Sequence, residues 1–227
     1  MSYSIFRTSQ LTLATESGEF IVVLDDLSRE NEGDLIIAAS ELTTEKMAFM
    51  VRYSSGVICT PMPPALTKHF DLPQMVNSNA DPNRTAYTVS VDASLPEITT
   101  GISAHDRALT CRTLASGTAT KGDLRRPGHV FPLRAKEGGV RERIGHTEAG
   151  VEFCRLAGKP LVAAISELVQ DLEPVAGQAL IPDTGMMRRD GCLAFGKKFG
   201  LKVCTIEDLV VYVEKKEGKL VKQPNGA

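Results

Sequence analysis

Two short apolar runs near the start of the chain constrain the fold most: FIVVL at residues 20–24 and LIIAA at residues 35–39. Both are rich in β-branched residues and too short for a stable helix, so they read as buried strands. The segment between them is then a loop anchored to a sheet at both ends. It carries five carboxylates, Asp25, Asp26, Glu30, Glu32 and Asp34, against one cation, Arg29. That concentration of charge has two readings. One is a solvated turn. The other is a site for a hard cation such as magnesium, which takes carboxylate, water and substrate oxygens, with Glu30 or Glu32 as ligand and Arg29 limiting repulsion or holding substrate.

Further along, Met47, Met50 and Val51 recur at helical spacing after Thr43 and Thr44. Residues 57–60 return to strand character before a break at Pro61, Pro63 and Pro64. Residues 71–85 have the composition of an irregular surface loop, and residues 86–91 (AYTVSV) alternate like a strand. Ser103 and Asp106 form a capping pattern ahead of the helical ALTCRTLA. Strands are expected at residues 129–133 and 161–165 and at Val203 and Cys204, with helices after Gly145, near residues 190–199 and from Thr205. Residues 215–227 read as a frayed tail. The elements do not follow a strict βαβ rhythm, which points to a layered sheet of mixed strand order with helices on its faces. Nothing in 227 residues marks a linker, so a single domain spanning 1–227 is expected.

A net charge of -2 exerts no long-range attraction on nucleic acid or an anionic membrane, so recognition must rest on local clusters. There is no basic leader with an apolar core and no apolar run of about 18 residues, so neither export nor membrane spanning is expected. Cys59, Cys111, Cys154, Cys192 and Cys204 are widely spaced without a CxxC pair, as reduced thiols in the cytoplasm would be.

A second cluster, RPGHVFPLRAKEGGVRERIGHTEAG, runs over residues 126–150. It combines His129 and His146 with Arg134, Lys136, Arg141, Arg143 and a predicted helix start. Free N–H groups at such a start, together with the fork of Arg143, suit a phosphate at residues 145–147. The plainer reading is an exposed basic loop capped by Thr147. Glu137, Glu142 and Glu148 dilute the charge and argue against a nucleic-acid patch. One imidazole can hold a metal and the other can move protons, or both can be structural. Glu167, after the apolar LVAAIS, is either a strand-end carboxylate turned to water or a general base at a sheet edge. Cys59, in VICTP, is a packed strand thiol or a pocket residue.

In chain order, DDLSRENEGDL, SGVICTPM, TTGISAHDRA, RPGHVFPLRAKEGGVRERIGHTEA and ISEL resemble the 3,4-dihydroxy-2-butanone 4-phosphate synthase family of riboflavin biosynthesis, over about residues 10–210. The resemblance implies a lyase that converts D-ribulose 5-phosphate to L-3,4-dihydroxy-2-butanone 4-phosphate and formate, using Mg2+, with Mn2+ also suitable, and no organic cofactor. It implies that Glu30 and His146 bind metal and that Arg29, Glu30 and Asp34 meet substrate. It further implies that Arg143, Ile144, Gly145, His146 and Thr147 hold the phosphate end, that His129, Glu167 and Glu32 serve the chemistry, and that Thr100 and Asp106 line the pocket. The implied architecture is an α+β fold, a three-layer α/β/α arrangement around a mixed twisted sheet, in a cytoplasmic homodimer with active sites at the interface. One departure is the segment LEPVAGQALIPDT, inserted where the family commonly passes directly to a DGxMxR run. The competing readings are a metal-dependent phosphosugar isomerase or aldolase, which would release no formate, and a non-catalytic phosphometabolite or RNA-binding module using residues 125–143.

Overall fold

The two apolar runs form β1 (Ile21–Leu24) and β2 (Gly33–Ala38), paired antiparallel with Ile21 opposite Ile36 and Leu24 opposite Gly33. Every residue of both strands is buried. Strands buried on both faces need a cover on each side of the sheet, which only a layered fold supplies. In the computed structural model, which describes residues 8–170 and 185–220, helices provide that cover. They are α1 (Thr8–Glu16), α2 (Thr44–Tyr53), α3 (Pro64–His69), α4 (Ala104–Leu114), α5 (His146–Leu156), α6 (Arg189–Phe199) and α7 (Ile206–Glu217). The remaining strands are β3 (Cys59–Met62), β4 (Val91–Ala93), β5 (Leu124–Arg134), β6 (Ala163–Glu167) and β7 (Lys202–Thr205).

The seven strands lie in the order β4-β5-β3-β6-β2-β1-β7. β1/β7 and β3/β5 are parallel and the other pairs antiparallel, so the sheet is mixed as expected. Side chains alternate between its faces. Val22, Leu24, Leu35 and Ile37 pack with Met47 and Met50 of α2, Leu114 of α4 and Phe195 of α6. Ile21, Val23, Ile36 and Ala38 pack with Leu11 of α1, Phe153 of α5 and Leu209 of α7. Ser103 caps α4 by accepting from Asp106 N, and Thr205 caps α7 by accepting from Asp208 N, as the sequence patterns predict.

Some boundaries differ from the sequence reading. The strand expected at 57–60 occurs two residues later and runs through Pro61. Backbone groups of Ile58 and Met62 face β5, where their carbonyls accept from Phe131 and Ala135, so those of Pro61 face β6. Pairing with β6 is confined to Cys59 opposite Ile165, and the N–H that proline lacks has no ladder position to fill. Pro64 opens α3, because a proline tolerates the first helical position. The alternating residues 86–91 make isolated bridges, Tyr87 to Leu133 and Gln74 to Thr88, and regular pairing begins only at Val91. The tail starts later than predicted: α7 continues to Glu217, whose carboxylate accepts from Arg155 Nη2 at 2.6 Å and pairs with Arg141 at 3.1 Å. Residues 221–227 and 171–184, the latter containing the inserted segment at residues 172–184, lie outside the described residues.

The β4–β5 pairing shifts register between Val91 and Asp92, where β5 passes Gly128. A Cβ at Gly128 would lie 2.0 Å from the backbone carbon of Val91, so only glycine permits this approach. Gly128→Ala is expected to destabilise the protein by about 1–3 kcal/mol or more through forced backbone displacement, read as a lower urea midpoint. A wild-type midpoint would show that the two strands are not held this closely.

Candidate active site

Sheet register collects the first two carboxylates. β2 and β6 pair with Asp34 directly opposite Glu167, and side chains so placed sit roughly 4.5–5.5 Å apart at Cβ on one face. Asp34 is 2% exposed. Burial, and then the charges of Glu167 and Glu30, push its pKa well above the ordinary carboxylate value. Its Oδ1 is buried without a hydrogen-bond partner. The Ser55 hydroxyl donates to Glu167 Oε2 at 2.8 Å and fixes that carboxylate at the strand end.

His146, the first residue of α5, faces this pair. Its Nε2 lies 3.0 Å from the carbonyl oxygen of Val23. A carbonyl only accepts, so Nε2 carries the proton and Nδ1 the lone pair. Nδ1 is 3.4 Å from Asp34 Oδ1 and 4.0 Å from Glu30 Oε2. Burial lowers the imidazole pKa to about 4, which keeps the ring neutral and able to ligate. An imidazole lone pair, an orphaned carboxylate oxygen and a second carboxylate thus converge, and a proton or cation among them relieves the repulsion. Oxygen donors with one nitrogen fit magnesium, and manganese equally.

The acidic loop brings Glu30 to this point by folding around Asp25. Asp25 Oδ2 accepts from Arg29 Nη1 at 2.8 Å and from the Glu30 N–H at 3.1 Å, while Oδ1 accepts from the Glu32 N–H at 2.8 Å. Ligand atoms of Asp25, Glu30 and His146 all lie within 4.8 Å of one another. Asp25 was not singled out as a site residue from sequence. Three donors of the loop converge on its oxygens, so it organises the loop. The Glu30 carboxylate accepts from Asn83 Nδ2 at 2.7 Å and from Arg29 Nη1. Asn83 belongs to the irregular segment before β4, and no pattern in the sequence marked it. Burial and then Glu30 raise the Glu32 pKa.

Arg143 braces the opposite wall. It donates to Glu148 Oε2 at 2.7 Å, to the Asn83 carbonyl from Nε and Nη2, and to Thr85 Oγ1 at 3.1 Å. Gly145 caps α5 without a side-chain bond, so backbone N–H groups of the first helical turn remain for a ligand. The cavity is about 70 Å³ and is lined by Arg29, Glu30, Glu32, Asp34, Cys59 and Tyr87 together with Arg143, His146, Thr147 and Glu167. Cys59 is therefore a pocket residue, and burial pushes its thiol pKa far up, so it is inert as a nucleophile. A larger groove of about 590 Å³ lies beyond the acidic loop, but it contains none of Asp34, His146 or Glu167.

Four expected site residues are placed elsewhere. Ile144 is 52% exposed, and its side chain lines the outer groove, because the turn before α5 directs alternate residues apart. The Asp106 carboxylate is committed to its own loop, where Oδ2 accepts from the Thr99 N–H and hydroxyl and from the Gly101 N–H. Burial alone would raise its pKa, but these bonds hold it well below the usual range. Thr100 sits exposed in that loop. His129 stands four residues along β5 from Leu133, a cavity residue, and hence roughly 13 Å away at the strand rise. Asp92 holds it twice, Oδ1 accepting from the His129 N–H and Oδ2 from the ring Nδ1, each at 2.9 Å. That leaves Nε2 as the basic atom on a half-exposed ring.

A neutral buried imidazole, paired carboxylates and an open helix start on a three-layer sheet define an enzyme that works on a small anionic substrate with a hard divalent cation. Comparison with known proteins narrows this class. The family model for 3,4-dihydroxy-2-butanone 4-phosphate synthase matches residues 9–212, and the chain belongs to that family. It is 64% identical over 214 residues to the 3,4-dihydroxy-2-butanone 4-phosphate synthase of Pyricularia oryzae, covering 94% of this chain and 91% of that one. It is 52% identical to that of Schizosaccharomyces pombe over 87% of this chain and 92% of the relative. A crystal structure of a 3,4-dihydroxy-2-butanone 4-phosphate synthase in complex with two magnesium ions superposes with a TM-score of 0.93 at 63% identity, covering 95% of this chain and all of that one.

The raised pKa of Asp34 has a consequence for stability. Above the ordinary value of 3.8, the folded protein retains a proton that the unfolded chain has released, so Asp34 favours folding less as pH rises through that interval. In chelated protein at pH 8, Asp34→Asn is expected to add about 1 kcal/mol, a Tm rise of roughly 2–4 °C, and to flatten the pH dependence. A lower Tm in the variant would show that the carboxylate is stabilising where it stands.

Proposed function

We propose that this chain converts D-ribulose 5-phosphate to L-3,4-dihydroxy-2-butanone 4-phosphate and formate, the step its family contributes to riboflavin biosynthesis, at the cavity between the acidic loop and α5. The convergence of Glu30, Asp34 and the His146 lone pair opposite Glu167 carries the proposal. Glu30 and His146 would hold Mg2+, and Mn2+ fits the same donors. A cation there supplies Lewis-acid stabilisation of the negative charge that builds on adjacent hydroxyl and carbonyl oxygens.

The remaining work falls to side chains. Glu167 takes the proton from C3, and its neighbour Asp34, whose pKa is raised by burial and then by that same charge, meets a substrate hydroxyl. Glu32 moves protons at the loop side, and Arg29 contacts the sugar. Arg143 and the N–H groups of residues 145–147 receive the phosphate. The two products together contain the atoms of the substrate, so the reaction needs proton transfers, loss of the C1 hydroxyl as water, a carbon shift and addition of water to the carbon that leaves as formate, but no oxidant.

The active unit is a homodimer with shared sites. Three observations support this. The cavity in one chain, about 70 Å³, is well below the ~300–1,000 Å³ typical of ligand sites. His129 and Asp92 form a second, separate polar pair, and the loop that approaches them at Gly101 carries the exposed Thr100. Exposed apolar side chains border both, Val57 two residues from Ser55, which holds Glu167, and Ile102 beside Gly101, which approaches His129, as a buried interface requires. His129 of one subunit then serves as the second base in its partner's site, with Thr100 beside it. A cytoplasmic location agrees with five buried cysteines, none in a disulfide. Among the described residues no helix is long and apolar enough to cross a membrane.

Purified protein with ribulose 5-phosphate and Mg2+ is expected to release formate, and chelator to stop it; a new pentose phosphate without formate would instead establish an isomerase. Glu30→Gln and His129→Ala are each expected to abolish turnover. Co-expressed, they should recover about a quarter of wild-type activity, since half the dimers are mixed and each mixed dimer has one intact site. No recovery would place both residues in one chain's site.

A further inference from the structure

The loop that carries Glu30 satisfies its own donors. The N–H groups of Arg29 and Asn31 donate to the Asp26 carbonyl, and those of Glu30 and Glu32 to the Asp25 carboxylate. Its acceptors are a different matter, because Asn31 adopts a left-handed conformation with φ of 53° and turns two consecutive carbonyls outward. Both meet a single atom. Arg188 Nη1 donates to the Glu30 oxygen at 2.7 Å and to the Asn31 oxygen at 2.8 Å, and stands 4.0 Å from Glu32 Oε1.

The position of Arg188 adds a second observation. It is the N-cap of α6, in extended conformation, and makes no side-chain cap bond; Arg189 follows it as the first helical residue. Helix starts favour Ser, Thr, Asp or Asn at the cap and negative charge in the first turn. Two arginines there run against the helix's own preference, and such local conflict is expected where a residue answers to a site. The chain just before Arg188 is tied to the strand end bearing Glu167: the Met187 N–H donates to the Leu168 carbonyl at 2.9 Å, and Val169 bridges Met186.

We propose that Arg188 is a positioning residue which clasps the acidic loop by the Glu30 and Asn31 carbonyls and so presents the Glu30 carboxylate to the metal. It ties the wall that carries Glu30 to the strand end that carries Glu167. This inference rests on the reading of Glu30 and His146 as metal ligands. Partners one shell removed from a metal typically change affinity by about 10–100-fold when lost.

The test is Mn2+ binding to metal-free protein, followed through the EPR signal of free Mn2+, with thermal melting alongside. Arg188→Asn removes the clasp and supplies a preferred cap, so the expected result is a dissociation constant raised at least about tenfold with Tm unchanged or higher. Arg188→Lys should recover affinity, because both bonds leave one nitrogen and an ammonium has three N–H groups to offer. Wild-type affinity in Arg188→Asn, or weakened binding that merely tracks a lowered Tm, would overturn the proposal. Glu30→Gln separates the two readings: if wild-type protein and Glu30→Gln bind Mn2+ alike, the ligand assignment itself fails.

Discussion

The site depends on the register between β2 and β6. Ile36 opposite Ile165 and Ala38 opposite Ala163 are buried pairs within the same ladder that sets Asp34 opposite Glu167. A slip of one residue would turn each of these side chains to the other face, so the apolar core leaves the carboxylates no freedom to separate. Like charges placed directly across a sheet repel. The core therefore imposes an arrangement that local electrostatics oppose: burial and then the Glu167 charge raise the pKa of Asp34, and the Ser55 hydroxyl donates to Glu167. Packing creates this opposition, and it cannot be relaxed without undoing the packing.

The two walls of the cavity are built by different physics. The donors of the acidic loop are satisfied locally, since Asp25 and Asp26 accept from N–H groups within seven positions along the chain, while its Glu30 and Asn31 carbonyls depend on Arg188. The opposite wall is long-range, since His146 reaches the Val23 carbonyl from 123 positions away. A metal bound by Glu30 and His146 would join a wall that can adjust to one that is held by the core. Hard cations demand particular geometry, and the rigid nitrogen provides the reference to which the loop carboxylate conforms.

This division also explains what could be read from the chain. β1 and β2 were evident because runs of Ile, Val and Leu of that length have few alternatives, and Ser103 and Thr205 announced α4 and α7 through side-chain capping that is local in sequence. The stretch ahead of β4 misled because alternation signals a half-buried strand whether or not a continuous partner exists, and here Tyr87 and Thr88 find only single bridges. The family resemblance supplied Glu30, Asp34 and His146, but not the geometry among them. Asn83 and Arg188 were invisible because an amide and an arginine acquire these roles only from the carboxylate and carbonyls they meet. Ile144 shows the opposite failure, a motif member whose side chain turns to the far side of the loop.

The two histidines show how a shared residue type is divided into separate roles. They lie in one polar stretch of sequence, yet β5 carries His129 to one place and α5 carries His146 to another. At His146 a carbonyl holds the Nε2 proton, and burial makes a charged ring costly, so the exposed lone pair on Nδ1 can ligate but has no means to keep a proton. At His129 the carboxylate of Asp92 holds the Nδ1 proton, which leaves the lone pair on Nε2. A ring backed by a carbonyl suits a metal ligand, and a ring backed by a carboxylate suits a base that charges and discharges in each turnover. In the proposed reaction each ring has the partner its task requires, and exchanging the partners would disable both.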